Sequence, residues 1–252
     1  MIRAAGDIIN IADAERALDI GHSEAAKLLS RWTGQGWLRR VGPGAYAPVE
    51  LASLTSDRVL DDPWVLVPSL YGPAYVGGRT AAEHWDLTEQ IFLDIVVMTA
   101  RTVRARNQQR HGANFTLKHV QRHTLFGTST VWRGRTQIAV SDVHRTVVDM
   151  LDDPEIGGGI QHVADCVATY FSLKERDDDK LIAYAVRLGN GAVFKRLGFL
   201  AEHGSRSTKL IQTCLAHMTQ GNAKLDPALS CRRVISRWRL VVPESWARAV
   251  SV

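Results

Sequence analysis

Three cysteines in 252 residues, Cys166, Cys214 and Cys231, are too few and too scattered for a disulfide framework or a CxxC metal knuckle. They are expected to be reduced, mostly core residues. No apolar run approaches the length of a membrane span, and the first residues lack a signal-peptide pattern. The expectation is a cytoplasmic protein of bacterial type with no membrane partner. Internal repeats and low-complexity tracts are missing too. So are the marks of an enzyme: no Walker loop is present and no GxGxxG opens a helix. A nucleotidyltransferase needs paired acids after Gly-Ser to hold two metals, but Gly127-Thr128-Ser129 leads only to Arg133 and Arg135. A nuclease needs clustered carboxylates near a lysine, and no second acid lies between Asp94 and Lys118. His119 and His123 are four apart, yet they fall in expected strand and turn with no cysteine partner, which argues against zinc. The reading is a protein without catalytic residues, metal or cofactor.

What is present is ordinary globular material, 45% hydrophobic and 23% charged, enough for a sizeable core without a covalent staple. The first fifty residues carry the strongest pattern. In Gly21 to Trp32, Gly21 can cap a helix, with Glu24 three residues on. Ala25, Leu28, Leu29 and Trp32 follow at i, i+3, i+4 and i+7 and make one face apolar. The opposite face carries His22, Ser23, Lys27, Ser30 and Arg31. Short polar side chains let a helix approach the major groove, where Lys and Arg reach guanines and phosphates. Upstream, Asn10 caps IADAERAL, whose Ala14, Ala17 and Leu18 are expected to pack, and Asp19-Ile20 connects the two helices. Downstream, 36–41 reads as a strand, Gly42-Pro43-Gly44 as a turn and 45–48 as the return strand. Helix, turn, helix and hairpin in this order make a winged helix-turn-helix. The alternative is a two-helix corner and hairpin used only for packing or dimerisation. Trp37 and Tyr46 are expected in the core, the alternative being a base-stacking role. Residues 1–6 are short for a preceding helix: either the domain is trimmed, or the chain starts late, or a later helix completes its core, for which the linking helix expected over 51–63 is the candidate.

The net charge of +5 is unevenly spread. Residues 1–50 hold six Lys or Arg and six Asp or Glu, whereas 95–141 hold eight cations (Arg101, Arg104, Arg106, Arg110, Lys118, Arg122, Arg133, Arg135) and no acid. Gripping a polyanion requires clustered cations, so a second region is expected to touch DNA phosphates through Arg101, Arg104, Arg106 and Arg110. The alternative is a solvated surface. Arg39 and Arg40 flank the wing on opposite strand faces, so one of them is expected to meet phosphate.

In the remainder, Thr80 to Glu83 reads as a capping box opening a helix through Trp85. Residues 91–99, 114–120, 124–132 and 137–140 read as strands of a three- to five-stranded sheet. Helices are expected from Ser141 to Leu151, 160–171, 177–188, Asn190 onward and 207–218, with a last strand at 237–242. Gly157-Gly158-Gly159 is either a flexible approach to a helix or a phosphate cradle. Arg145 reads as an internal hydrogen-bond organiser. The fold class is α/β (α+β): a winged helix-turn-helix over 1–50, a linking helix over 51–63 and a larger mixed α/β domain over 64–252.

Five segments in order resemble the AbiEi antitoxins, the transcription-regulating half of the AbiE type IV toxin–antitoxin systems of phage defence. They are GWLRRVGPGAYAPV, YVGGRTAAEHWDLTEQ with Leu87-Thr88-Glu89-Gln90, SDVHRTVVDML with Arg145-Thr146, FKRLGFLAE and RWRLVVPESW. Asp86 stands where the family pattern has Gly, and the wing tip carries no basic residue. The resemblance implies an α/β antitoxin domain behind the DNA-binding domain. It implies repression by binding inverted repeats of double-stranded DNA in the chain's own promoter. It also implies counteraction of a nucleotidyltransferase-like toxin, often without a stable complex. The expected state is a monomer or weak dimer in solution with two copies on DNA, nucleoid-associated when bound. The alternatives are a module that neutralises the toxin by direct contact and a DNA-processing enzyme that uses Asp94.

Overall fold

A computed structural model describes residues 8–49, 62–204 and 207–248. The protein is mixed α/β and divides into two compact units, Met1–Val76 with Leu93–Val140, and Gly77–Phe92 with Ser141–Val252. This division differs from the boundaries expected at residues 50 and 63, because strands on both sides of Gly77–Phe92 join one sheet. The expected linking helix lies outside the described residues except for Asp62 and Pro63, as does the short stretch 1–6. Among the described residues no helix is long and apolar enough to cross a membrane.

The first unit opens with β1 (Ile9–Asn10), α1 (Ile11–Leu18), α2 (His22–Gly34), β2 (Leu38–Gly42) and β3 (Ala45–Pro48). The Asp13 carboxylate accepts from the Asn10 amide at 3.0 Å and fixes the start of α1. Asp19 ends that helix in the left-handed region at φ 52°. Gly21 caps α2, its carbonyl accepting from the Ala25 amide at 2.9 Å. Ile9, Ala14, Ala25, Leu29, Leu38 and Tyr46 form the core, with Ile20 and Trp32 packed on it. Ala17 and Leu18, expected to pack, are instead exposed. Pro43-Gly44 makes the two-residue turn, with Gly44 at φ 70° in the position where a type II turn favours glycine. The sheet order is β1-β3-β2, so the strand before α1, unexpected from sequence, closes the hairpin's far edge. Trp37 is 53% exposed beside Trp32 rather than in the core, because it lies in the bend before β2.

The same unit continues with α3 (Val67–Tyr71), β4 (Ala74–Val76), β5 (Asp94–Thr99), β6 (Asn107–Arg110), β7 (Ala113–His119), β8 (Thr128–Arg133) and β9 (Thr136–Ser141). They form a six-stranded sheet in the order β6-β7-β5-β4-β9-β8, not three to five strands. β5 and β7 are parallel and buried, as their Ile, Val and Phe content dictates. The strand expected from residue 91 begins only at Asp94; Ile91 and Leu93 are 81% and 90% exposed. β6, all polar, is an edge strand held by its pairing with β7.

The second unit is mainly helical: α4 (Gly78–His84), α5 (Val143–Asp152), α6 (Ile160–Ser172), α7 (Asp178–Leu188), α8 (Gly191–His203), α9 (Thr208–Ala216) and α10 (Glu244–Arg248). A small sheet, β10 (Ala223–Lys224), β11 (Arg233–Ile235) and β12 (Leu240–Val242), accompanies them in the order β10-β12-β11. α4 begins before the expected capping box, and Thr80 is buried inside it. Asp142, not Ser141, caps α5: its carboxylate accepts from the Arg145 amide at 2.9 Å, while Ser141 pairs with Thr146. Residues 237–239 are a short 3-10 turn and a left-handed Arg239 rather than strand. α8 is buried on every side from Val193 to Ala201. Its Gly198 leaves room for the Trp238 ring, where a Cβ would collide. Its Arg196 donates to the carbonyls of Leu151, Asp152, Lys224 and Leu225.

Candidate nucleic-acid interface

On α2, Ser23, Lys27, Ser30 and Arg31 are exposed, while Ala25 and Leu29 are buried and Leu28 and Trp32 half-buried. At 100° per residue, positions 23, 27, 30 and 31 fall within one stripe about 100° wide, directed away from the core. Packing therefore fixes which face is outward. His22 is exposed too, but its Nδ1 is 3.0 Å from Glu15 Oε1 of α1, so its ring ties the two helices together. In the hairpin, Arg40 is exposed and Arg39 half-buried, as strand alternation requires. Arg40 Nε donates to the Gly42 carbonyl at 3.3 Å, which lays its guanidinium along the hairpin tip.

The hairpin is held to the six-stranded sheet. A ring nitrogen of His111, in the β6–β7 turn, meets the Val41 carbonyl at 2.6 Å. Gly42 lies so close to Leu70 of α3 that a Cβ there would approach Leu70 Cδ2 to 2.7 Å. The Leu70 carbonyl in turn accepts from Arg101 at 2.7 Å. Arg101 is thus two contacts away from the hairpin tip.

The sheet sorts the remaining cations by end. Thr99 pairs with His119 and with Ala74, so β5 and β7 finish where β4 starts. β9 runs parallel to β4, which puts the β8–β9 turn at that end as well. Arg101 and Arg104 after β5, Arg122 and His123 after β7, and Arg135 in the turn all emerge there, and all are exposed. Arg106, half-buried, precedes β6 near the same end, its carbonyl accepting from the Leu117 amide at 2.7 Å. Arg110 is elsewhere: β6 is antiparallel to β7, so Arg110 lies at the opposite end beside His111. The four arginines singled out from sequence are therefore not one patch. Arg122, His123 and Arg135 complete the patch; their signal in the sequence was the acid-free run, but only the topology shows which members share an end.

Other candidates resolve into structure. Asp94 accepts from the Thr116 hydroxyl at 2.5 Å. Among the described residues no three His, Cys, Asp or Glu side chains meet in a group able to hold a metal ion. The triple glycine is not an open cradle, because the Asp226 carboxylate already accepts from the Ile160 amide at 2.9 Å at the start of α6. Arg145 is buried and paired with Asp149 at 2.8 Å. Burial alone would raise the Asp142 carboxyl, but hydrogen bonds from His144, the Arg145 amide, Lys180 and Tyr184 outweigh it and hold the group well below the usual range. Burial pushes the thiols of Cys166 and Cys214 up to about 12, away from reactivity.

No family model matches the chain. No curated protein matches it either. Among solved structures, the chain is similar in fold to the RV2827C protein from Mycobacterium tuberculosis, at 15% identity and a TM-score of 0.63, over all of this chain and 92% of that one.

Proposed function

We propose that this chain is a sequence-specific DNA-binding repressor and antitoxin whose residues 1–50 act as a winged helix-turn-helix. The observation that carries the reading is the exposed stripe Ser23, Lys27, Ser30 and Arg31 on the second helix of a helix pair backed by a hairpin. In this arrangement α2 enters the major groove, with Ser23 and Lys27 at base edges and Arg31 toward phosphate. Arg40 reaches phosphate from the hairpin. The basic end of the sheet, Arg101, Arg104, Arg122 and Arg135, adds grip that is independent of sequence. The antitoxin role rests on the resemblance to AbiEi proteins, which also supplies the operator as inverted repeats and the toxin as nucleotidyltransferase-like.

The test is binding to the chain's own upstream promoter duplex beside a scrambled duplex, at two salt concentrations. The expected result is a preference of about 10³-fold or more with steep salt dependence. Equal, weak binding to both duplexes overturns the reading and leaves a basic interaction protein.

A further inference from the structure

We propose that the basic end of the six-stranded sheet, whose arginines also add grip on the duplex in the reading above, takes an unpaired strand, and that Trp132 is the platform on which one of its bases stacks. β8 is an edge strand. Along it Thr128, Thr130 and Trp132 are exposed and alternate with the half-buried Ser129, Val131 and Arg133. The indole is 60% exposed although it belongs to the residue type with most to gain from burial.

That exposure is enforced by the neighbouring residue. Arg133 lies over the Trp64 ring at 4.7 Å and faces Asp62 at 3.6 Å, which pins the other face of β8. A one-residue slip would turn Trp132 inward, but it would also throw Arg133 off both partners. The strand therefore holds an indole and two hydroxyls outward, beside the turn that carries Arg135.

From this turn the basic end runs across the sheet. Four strand spacings separate β8 from β7, after which Arg122 and His123 follow, a span of about 19 Å. Arg101 and Arg104 lie between them, following β5. A row of cations ending in an exposed aromatic fits a single strand: phosphates track the cations, and a base with a free face meets the indole. Paired bases inside a duplex offer no such face, so this site differs in kind from the stripe on α2.

The experiment measures binding of the whole protein to a labelled oligothymidylate of about 16 nucleotides, in parallel with the promoter duplex. Trp132→Ala is expected to weaken oligothymidylate binding about tenfold or more, Trp132→Phe to retain most of it, and neither to alter the salt slope. Arg135→Ala is expected to weaken it and flatten the slope by about one unit. Ultraviolet cross-linking of a bromouracil-substituted strand is expected to label the peptide containing Trp132. Failure of the wild type to bind the single strand, or equal binding by Trp132→Ala, overturns the proposal. The operator reading is judged separately by the duplex: loss of promoter preference with the Trp132 effect intact removes that reading and leaves this one standing.

Discussion

The exposed arginines of the first unit and the buried cations of the second sit in contrasting surroundings. In the first, Arg101, Arg104, Arg122 and Arg135 are exposed and gathered at one end of a sheet. In the second, Arg145, Lys195 and Arg196 are buried and tied to the chain itself: Arg145 to Asp149, Lys195 to the Gly221 carbonyl and Arg196 to four carbonyls. The same chemistry thus stands exposed at the end of a sheet in one place and serves as internal scaffolding in the other. A buried cation must find its acceptors within the protein, whereas an exposed one keeps much of its hydration. Counting positive charge in the sequence does not separate the two; burial does.

The largest test of this contrast is Arg196→Met. It leaves the carbonyls of Leu151, Asp152, Lys224 and Leu225 without this donor, and a loss of about 3 kcal/mol or more is expected in the unfolding free energy read by denaturant titration. A change within experimental scatter would dissolve the contrast. Next in size, Lys27→Ala is expected to cost about 1–3 kcal/mol against the promoter and almost nothing against a scrambled duplex. Arg104→Ala is expected to weaken both duplexes alike and flatten the salt slope by about one unit. Equal losses from Lys27→Ala on both sequences would move the groove contact away from α2.

A smaller effect concerns acid. The folded Asp142 carboxyl is held below its unfolded value, so the unfolded chain binds more protons as pH falls. Its contribution to stability is full above about pH 4 and is lost as pH falls through the folded value. Asp142→Asn is expected to remove that part of the acid dependence, read as flatter melting temperatures below the same pH. Smallest is Asp86→Gly. Asp86 sits at φ 54°, where glycine is unstrained, and the Leu87 amide closes the end of α4 on the Ala82 carbonyl at 2.9 Å. A gain of about 0.5–1 kcal/mol is expected by thermal melting.

The helix pair and hairpin were legible because their signals are local. Ala25, Leu28, Leu29 and Trp32 repeat within one helix, and Pro43-Gly44 marks its own turn. β1, β4 and β6 were not legible. They are two to four residues long, and β6 is wholly polar, so partners distant in sequence define them. Ile91 and Leu93 misled in the other direction, as apolar residues next to a strand that do not join it. In the candidate interface the α2 stripe could be read directly from helical period. Arg110 could not be separated from Arg104 without knowing that β6 turns back on β7. Trp132 did carry a signal, the alternation in Thr128 to Arg133, but the inward face of that strand is set by Trp64 and Asp62, far away in sequence.

The place of β4 in the sheet also bears on synthesis. It lies between β5 and β9, yet Val76 meets its β9 partner Val140 only after roughly 60 further residues have been made, several seconds at about 5–20 residues per second. During that interval the N-terminal helix pair has every one of its own core residues, while the sheet beside it still lacks β8 and β9. On the ribosome the N-terminal helix pair is therefore expected to mature before the sheet end that carries Trp132 and Arg135.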